Sequence, residues 1–102
     1  MIGAILGDII GSPYEFDCGN KSKDFPLFSR KSTYTDDTVM TLAVGLTILD
    51  AQPSASDDWI LRILANGMRQ FGKMYPNAGY GGMFRQWLRN PECQAYNSFG
   101  NG

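Results

Sequence analysis

Apolar residues recur at helical spacing along most of the chain, and no segment alternates in the way a half-buried strand does. The first segment, residues 2–10, is apolar apart from one aspartate and carries a glycine at every fourth position. Such glycines share one face of a helix, which a partner backbone can approach closely. They are Gly3, Gly7 and Gly11. Ser12 and Pro13 mark the predicted end of this helix.

The segment 38–49 contains no charged residue and leaves little polar face, which predicts a central and largely buried helix. The residues before it, 17–33, mix glycine, asparagine, proline and serine with several charges and show no sustained period. We therefore expect a surface loop that leads into a buried helix.

The third predicted helix is the clearest amphipathic segment of the chain. Ser56 is its predicted N-cap, and Asp57 and Asp58 follow in the first turn, where acidic side chains interact favourably with the helix dipole. Large apolar residues continue at helical spacing, and Gly72 is the predicted stop.

A fourth, short helix is predicted over residues 83–89. A glycine-rich loop, 76–82, precedes it, and Asn90 and Pro91 end it. The predicted fold is all-α, with three or four helices and two long loops. A chain of 102 residues has the size of one small domain.

The charged residues restrict the range of functions. Nine basic and ten acidic residues give a net charge of −1, and the basic residues are scattered, which disfavours binding to a nucleic-acid backbone. The chain contains no histidine, so Ser-His-Asp and Cys-His catalysis are excluded. Any catalysis must therefore use carboxylates or a metal ion.

The cysteines and the N-terminal segment indicate a compartment. Cys18 and Cys93 lie far apart in a chain without histidine, which indicates neither a zinc site nor a disulfide framework and fits a reducing cytoplasm. The apolar start, 1–10, has no basic region, contains Asp8 and is too short to span a bilayer. We expect neither a signal peptide nor a transmembrane helix.

Four consecutive oxygen-bearing side chains stand where the loop meets the second helix: Thr35, Asp36, Asp37 and Thr38. Carboxylate and hydroxyl oxygens are the ligands that Mg²⁺ prefers, and a cation would relieve the repulsion between adjacent carboxylates. The same residue types are also preferred at helix N-termini without any metal. The tetrapeptide by itself leaves both interpretations open.

Two further acidic residues lie in the otherwise uncharged N-terminal segment. Asp8 falls inside an apolar helix, so its carboxylate should be exposed, hydrogen-bonded or near a cation. Glu15 lies on the turn after Pro13, from which it could reach a metal or a substrate water, although an ordinary solvated glutamate is an equal alternative.

The C-terminal third of the chain contains an aromatic cluster and a small-residue segment. The aromatic residues could stack on a base, but aromatics around a glycine-rich loop more often pack in a core. The segment 99–102, Phe-Gly-Asn-Gly, either lets backbone amides approach a phosphate or ribose or forms a flexible terminus. The aromatic residues are Tyr75, Tyr80, Phe84, Trp87 and Tyr96.

Three ordered motifs together resemble the ADP-ribosylglycohydrolase family. They are Gly-Ala at 3–4 with Gly-Asp-Ile-Ile-Gly-Ser-Pro-Tyr-Glu at 7–15, Tyr-Thr-Asp-Asp-Thr-Val-Met at 34–40, and Ser-Phe-Gly-Asn-Gly at 98–102. The resemblance runs over essentially the whole chain, and three motifs in order are more specific than any one of them.

The resemblance implies an orthogonal helical fold that holds two Mg²⁺ ions in a cleft and removes ADP-ribose from a modified protein or another acceptor. Thr35, Asp36 and Asp37 match the metal-binding triplet of the family. Glu15 matches an acidic residue that approaches the metals and is implicated in catalysis together with the two aspartates. The loop that would cradle ADP-ribose matches Gly100, Asn101 and Gly102.

The family pattern also includes a later Asp-x-Asp-Thr segment with further metal ligands, and this sequence does not contain it. We therefore expect residues 1–102 to be the N-terminal part of such a domain, with weak metal affinity and little activity alone. An incompletely covered apolar helix would favour self-association, or pairing with a complementing C-terminal chain. The alternative is a non-catalytic protein that keeps a metal or ADP-ribose contact.

Overall fold

The computed structural model describes residues 1–17, 22–92 and 94–98. Over these residues the chain forms four α-helices and one short 3-10 helix, and no strand. The helices are α1 (Ile2–Gly11), α2 (Asp36–Asp50), α3 (Asp57–Met74) and α4 (Gly82–Arg89), with the 3-10 helix Ser12–Tyr14 directly after α1. The prediction of an all-α fold is confirmed.

Local signals place three of the helix boundaries where the sequence predicts them. Ser56 is the N-cap of α3, and its side chain accepts a hydrogen bond from the backbone N–H of Trp59 at 3.3 Å. Asn90 follows the last residue of α4. Ser12 and Pro13 follow the last residue of α1 and continue into the 3-10 helix.

The packing centres on α2, which lies against both α1 and α3, while α4 packs on α3. α2 and α3 are in close contact at Gly67 and Thr47, because a Cβ at position 67 would lie 2.7 Å from the Thr47 hydroxyl oxygen. That hydroxyl is buried and donates to the carbonyl of Ala43 at 2.8 Å, so the close approach leaves no polar group unpaired there.

The buried core lies between the first turns of α2, the loop that follows α3, and α4. Its apolar members contact partly buried side chains from α2, α3 and α4, which close it on the remaining sides. The core residues are Val39, Ala78, Tyr80, Trp87 and Leu88.

Gly72 lies inside α3 rather than at its end, so the predicted stop is wrong. The helix continues to Met74, and Gly72 is buried against Leu88 of α4. A Cβ at position 72 would lie 2.8 Å and 3.0 Å from the two δ-methyl groups of Leu88. Gly72 is therefore the place where α4 contacts α3. The local sequence does not distinguish a glycine in such a contact from a glycine that ends a helix.

The second half of α2 is much more exposed than its apolar sequence predicts. Leu46, Ile48 and Leu49 are 47%, 62% and 75% exposed, whereas Val39 near the start of the helix is 2% exposed. Only α1 and α3 among the described elements pack on α2, and two neighbours do not surround a helix that has so little polar face. The expectation of a largely buried helix holds for its first turns and is wrong for its last ones.

The glycines of α1 are not in close contact with any described segment. A Cβ built at Gly3, Gly7 or Gly11 has nothing within 4 Å. The close approach of a partner backbone to this face does not occur among the described residues. Within the same residues, no helix is long and apolar enough to cross a membrane.

Adding one methyl group should have opposite effects at two of these glycines. Gly7→Ala should raise the free energy of unfolding by about 0.5–1 kcal/mol, because alanine is the better helix former and the added methyl meets open space. Gly72→Ala should lower it by about 1 kcal/mol, because overpacking against Leu88 exceeds the gain in helix propensity.

Urea unfolding followed by far-UV circular dichroism measures both changes under one set of conditions. Equal stabilisation by the two substitutions would contradict the tight contact between α3 and α4.

Candidate functional site

A single carboxylate from α1 holds the start of α2. Asp8 accepts hydrogen bonds from the backbone N–H groups of Thr35, at 3.2 Å, and Thr38, at 3.1 Å. Asp8 also accepts a hydrogen bond from the Thr35 hydroxyl at 2.7 Å and another from the Thr38 hydroxyl. Of the three environments expected for Asp8 (exposed, hydrogen-bonded or near a cation), the structure shows the hydrogen-bonded one.

Thr35 is the N-cap of α2. Its backbone is extended, and its hydroxyl oxygen accepts from the N–H of Asp37 at 3.2 Å while donating its own hydrogen to Asp8. Asp36 and Asp37 form the first turn, where the helix dipole favours negative charge. The capping role of this segment is thus confirmed, and metal binding by the same residues stays a prediction.

A second set of contacts fixes the loop before α2 against the end of α1. The Ser12 hydroxyl donates to the carbonyl of Ile9 at 3.0 Å and accepts from the N–H of Thr33 at 3.0 Å. The Tyr14 hydroxyl donates to the carbonyl of Pro26 at 3.2 Å. Residues 8–14 therefore contact both the loop and the helix that follows it.

The surroundings of Asp36 in the acidic turn disfavour its ionised form. Partial burial and the neighbouring carboxylate of Asp37 raise the pKa of Asp36, and the charge of Asp8 adds to this effect. Burial also acts to raise the pKa of Asp8, but its hydrogen bonds from Thr35 and Thr38 outweigh that effect and lower the pKa below its ordinary value. A cation beside Asp36 would favour its ionised form.

A cavity of about 580 Å³ opens beside the acidic turn, a volume within the range of small-molecule sites. Asp36 and Asp37 line it together with the apolar and aromatic side chains Met40, Phe84, Trp87 and Tyr96. It therefore combines two carboxylates with flat apolar surfaces.

The aromatic wall of the cavity is held in place from several sides. Phe84 and Trp87 stack with their ring centroids 5.5 Å apart and their planes 12° apart. The indole N–H of Trp87 donates to the carbonyl of Gln94 at 3.0 Å, and the guanidinium of Arg69 lies 4.2 Å from the Trp87 ring centre. The wall therefore has a fixed orientation before any ligand enters.

Tyr80, for which the sequence favoured packing over stacking on a base, is a core residue near the acidic turn. It is 3% exposed, and its hydroxyl has no hydrogen-bond partner among the described residues. Burial raises the pKa of Tyr80, and the nearby charge of Asp36 raises it further. The packing interpretation is right for its ring, but no local pattern indicates that its buried hydroxyl would be affected by the charge of Asp36, 44 positions earlier in the chain.

The remaining predicted site residues are not brought to the acidic turn by the described part of the structure. Glu15 follows the 3-10 helix and is exposed. No group of three or more acidic or cysteine side chains that could hold a metal ion forms among the described residues. Gly100, Asn101 and Gly102 lie outside the described residues.

Comparison with known proteins gives one decisive match. The sequence model of the family described as ADP-ribosylglycohydrolase matches residues 1–102, the whole chain. The chain belongs to the ADP-ribosylglycohydrolase family. No curated protein and no solved structure gave a significant match. Membership in this family indicates a glycohydrolase type of function, and it confirms the resemblance carried by the three motifs.

The residues at the acidic turn fit a hard divalent cation in the kind of donor they offer. The Thr35 hydroxyl and the carboxylates of Asp36 and Asp37 are oxygen ligands on consecutive residues. The repulsion that raises the pKa of Asp36 is relieved by positive charge. In this member of the ADP-ribosylglycohydrolase family, the turn is therefore a candidate site for a divalent cation.

The hydrogen bonds to Asp8 predict a specific dependence of stability on pH. Because the pKa of Asp8 is lowered from 3.8, its contribution to stability should be complete above pH 3.8 and lost as the pH falls through the lowered value. The difference in unfolding free energy between wild type and Asp8→Asn should shrink over that range.

Urea unfolding at a series of acidic pH values measures this difference. Asp50→Asn, which removes an exposed carboxylate at the other end of α2, is the matched control. An Asp8→Asn difference that stays constant down to the acid limit would contradict the role given to the ionised carboxylate.

The buried hydroxyl of Tyr80 predicts that phenylalanine is tolerated at this position. Tyr80→Phe should leave the free energy of unfolding unchanged or raise it by about 1 kcal/mol, because it removes a buried polar group without a partner. Tyr34→Phe, at a position 46% exposed, controls for the loss of a phenol and should change stability by less than about 0.5 kcal/mol. A loss above about 1 kcal/mol for Tyr80→Phe would show that the hydroxyl is hydrogen-bonded after all.

Proposed function

We propose that this protein is a Mg²⁺-dependent hydrolase that removes ADP-ribose from a modified protein or another ADP-ribosylated acceptor. The observation that supports this most directly is the shared position of Asp36 and Asp37 on the wall of an aromatic-lined cavity. Family membership indicates the reaction class, and the cavity beside the acidic turn offers a place for it.

The charge of the proposed substrate explains why a cation is needed at this place. ADP-ribose carries a diphosphate, and two carboxylates on the same cavity wall would repel it. A divalent cation held by the carboxylates would attract the diphosphate and so offset this repulsion. The flat surfaces of Phe84, Trp87 and Tyr96 offer stacking contacts to a base or a sugar face, which do not depend on charge.

We assign the residues as follows. The metal centre would be held by Thr35, Asp36, Asp37 and Glu15, and in the proposed complete site it would contain two ions. Asp36, Asp37 and Glu15 would also act in catalysis. Gly100, Asn101 and Gly102 would contact ADP-ribose through their backbone. When bound, Mg²⁺ supplies Lewis-acid polarisation of an oxygen and neutralises developing negative charge.

The chain's own residues would orient the substrate and restrict water. The stacked pair Phe84 and Trp87 would hold one end of the ligand in the apolar part of the cavity. The carboxylates of Asp36 and Asp37 at the polar side would then face the ribose whose glycosidic bond is cleaved. A carboxylate can carry a proton in general acid–base catalysis, and Glu15 is our candidate for this role.

One observation favours a second candidate function, a non-catalytic protein that binds a metal ion or ADP-ribose. Among the described residues the acidic turn gathers only two carboxylates and one hydroxyl, since Asp8 is engaged by Thr35 and Thr38. Such a donor set supports weak binding of Mg²⁺, which keeps several waters in most protein sites.

The test compares two pairs of adjacent aspartates, each in the first turn of a helix. Replacing Asp36 and Asp37 with Asn should lower Mg²⁺ affinity by at least about tenfold, because both carboxylate ligands are lost. The matched control replaces Asp57 and Asp58, which follow the N-cap of α3, and should leave the affinity unchanged. Isothermal titration calorimetry measures both, and circular dichroism checks folding.

Release of ADP-ribose from an ADP-ribosylated protein, measured with Mg²⁺ and with a chelator, separates the two functions. Mg²⁺-dependent release establishes the hydrolase, and binding of ADP-ribose without release establishes the binder. Equal Mg²⁺ affinity in wild type and the Asp36/Asp37 variant would refute the metal assignment, and so would release that ignores the chelator.

A further inference from the structure

We propose that Asp8 is a positioning residue for Thr35, Asp36 and Asp37, and that it makes this triplet competent to bind a cation. The inference rests on the proposed metal-binding function of the triplet. It concerns a residue of α1 that lies 27 positions before Thr35 and contacts it directly.

The first step concerns the hydrogen of the Thr35 hydroxyl. A hydroxyl oxygen coordinates a cation through a lone pair, so its hydrogen must point elsewhere. In this structure the hydrogen is donated to Asp8 at 2.7 Å, while a lone pair accepts from the N–H of Asp37. With both of these bonds made, the remaining lone pair of the oxygen is left for a ligand.

The second step concerns the backbone on both sides of the two aspartates. Asp8 accepts from the N–H groups of Thr35 and Thr38, the residues that flank Asp36 and Asp37. One carboxylate therefore fixes both ends of the turn that carries the proposed ligands. A shift of this turn would move the Asp36 and Asp37 carboxylates together relative to the cavity that they line.

The third step separates positioning from simple helix capping. The helix already has an N-cap in the Thr35 side chain, which accepts from the N–H of Asp37. Asp8 also accepts hydrogen bonds from the side-chain hydroxyls of Thr35 and Thr38, which capping of the backbone N–H groups alone does not require. Asp8 therefore orients the side chain of a proposed ligand, Thr35, in addition to the helix terminus.

The test measures Mn²⁺ binding by electron paramagnetic resonance in the full chain, beside thermal unfolding. Asp8→Asn cannot accept from all four donors, and Asp8→Glu keeps the charge but displaces the carboxylate. Each should weaken Mn²⁺ binding about 10- to 100-fold, the range found when a hydrogen-bond partner of a metal ligand is lost. If Asp8→Asn does not fold, Asp8→Glu still carries the comparison.

The matched control is Ser56→Ala, which removes the N-cap of α3 away from the triplet. It should lower the unfolding temperature without weakening Mn²⁺ binding. A double-mutant cycle adds a further readout: because Asp8 acts partly through the Thr35 hydroxyl, Asp8→Asn should cost less affinity in a Thr35→Val background than in wild type.

The outcomes are distinct. If folded Asp8→Asn and Asp8→Glu bind Mn²⁺ with wild-type affinity, this inference is overturned while the metal site stays intact. If Ser56→Ala loses as much Mn²⁺ affinity as the Asp8 variants do, the role of Asp8 is purely structural and the inference is likewise overturned. Absence of Mn²⁺ binding in the wild-type chain would overturn the proposed function itself, and the positioning role with it.

Discussion

The position of the acidic turn depends on the contact between the Asp8 carboxylate and the first turn of α2. Helix N-termini leave backbone N–H groups without intrahelical partners, and a carboxylate satisfies them while interacting favourably with the helix dipole. Here that carboxylate comes from another helix, so the same hydrogen bonds cap α2 and attach α1 to it. The Ser12 contact with Thr33 extends the attachment to the preceding loop. The acidic turn is therefore held by tertiary contacts as well as by its own helix.

The two halves of α2 serve different purposes. Its first turns hold Val39 in the core and place Asp36 and Asp37 on the cavity wall. Its last turns expose Leu46, Ile48 and Leu49, which no described element covers. Exposed apolar surface of this kind is typical of a face that another segment or molecule covers. The first turns, which hold Val39 in the core, thus also carry the candidate site.

The candidate site joins two kinds of surface that the proposed ligand, a nucleotide sugar, would use. The stacked rings of Phe84 and Trp87 form a rigid apolar wall, and the acidic turn lies on the same cavity. Tyr80 belongs to the same core as Trp87, and burial together with the charge of Asp36 raises the pKa of its hydroxyl. Membership in the ADP-ribosylglycohydrolase family agrees with this combination.

Features that depend on neighbours along the chain were predictable from the sequence alone. The all-α fold, the N-cap at Ser56, the end of α4 at Asn90 and the family motifs are of this kind, because spacing and capping chemistry are local. Only the tertiary structure decided that Asp8 accepts from Thr35 and Thr38, that Gly72 is a contact with Leu88, and that the Tyr80 hydroxyl is buried near Asp36. These contacts join residues 16 to 44 positions apart. Their partners are chosen by how the helices pack, and no local pattern carries that information.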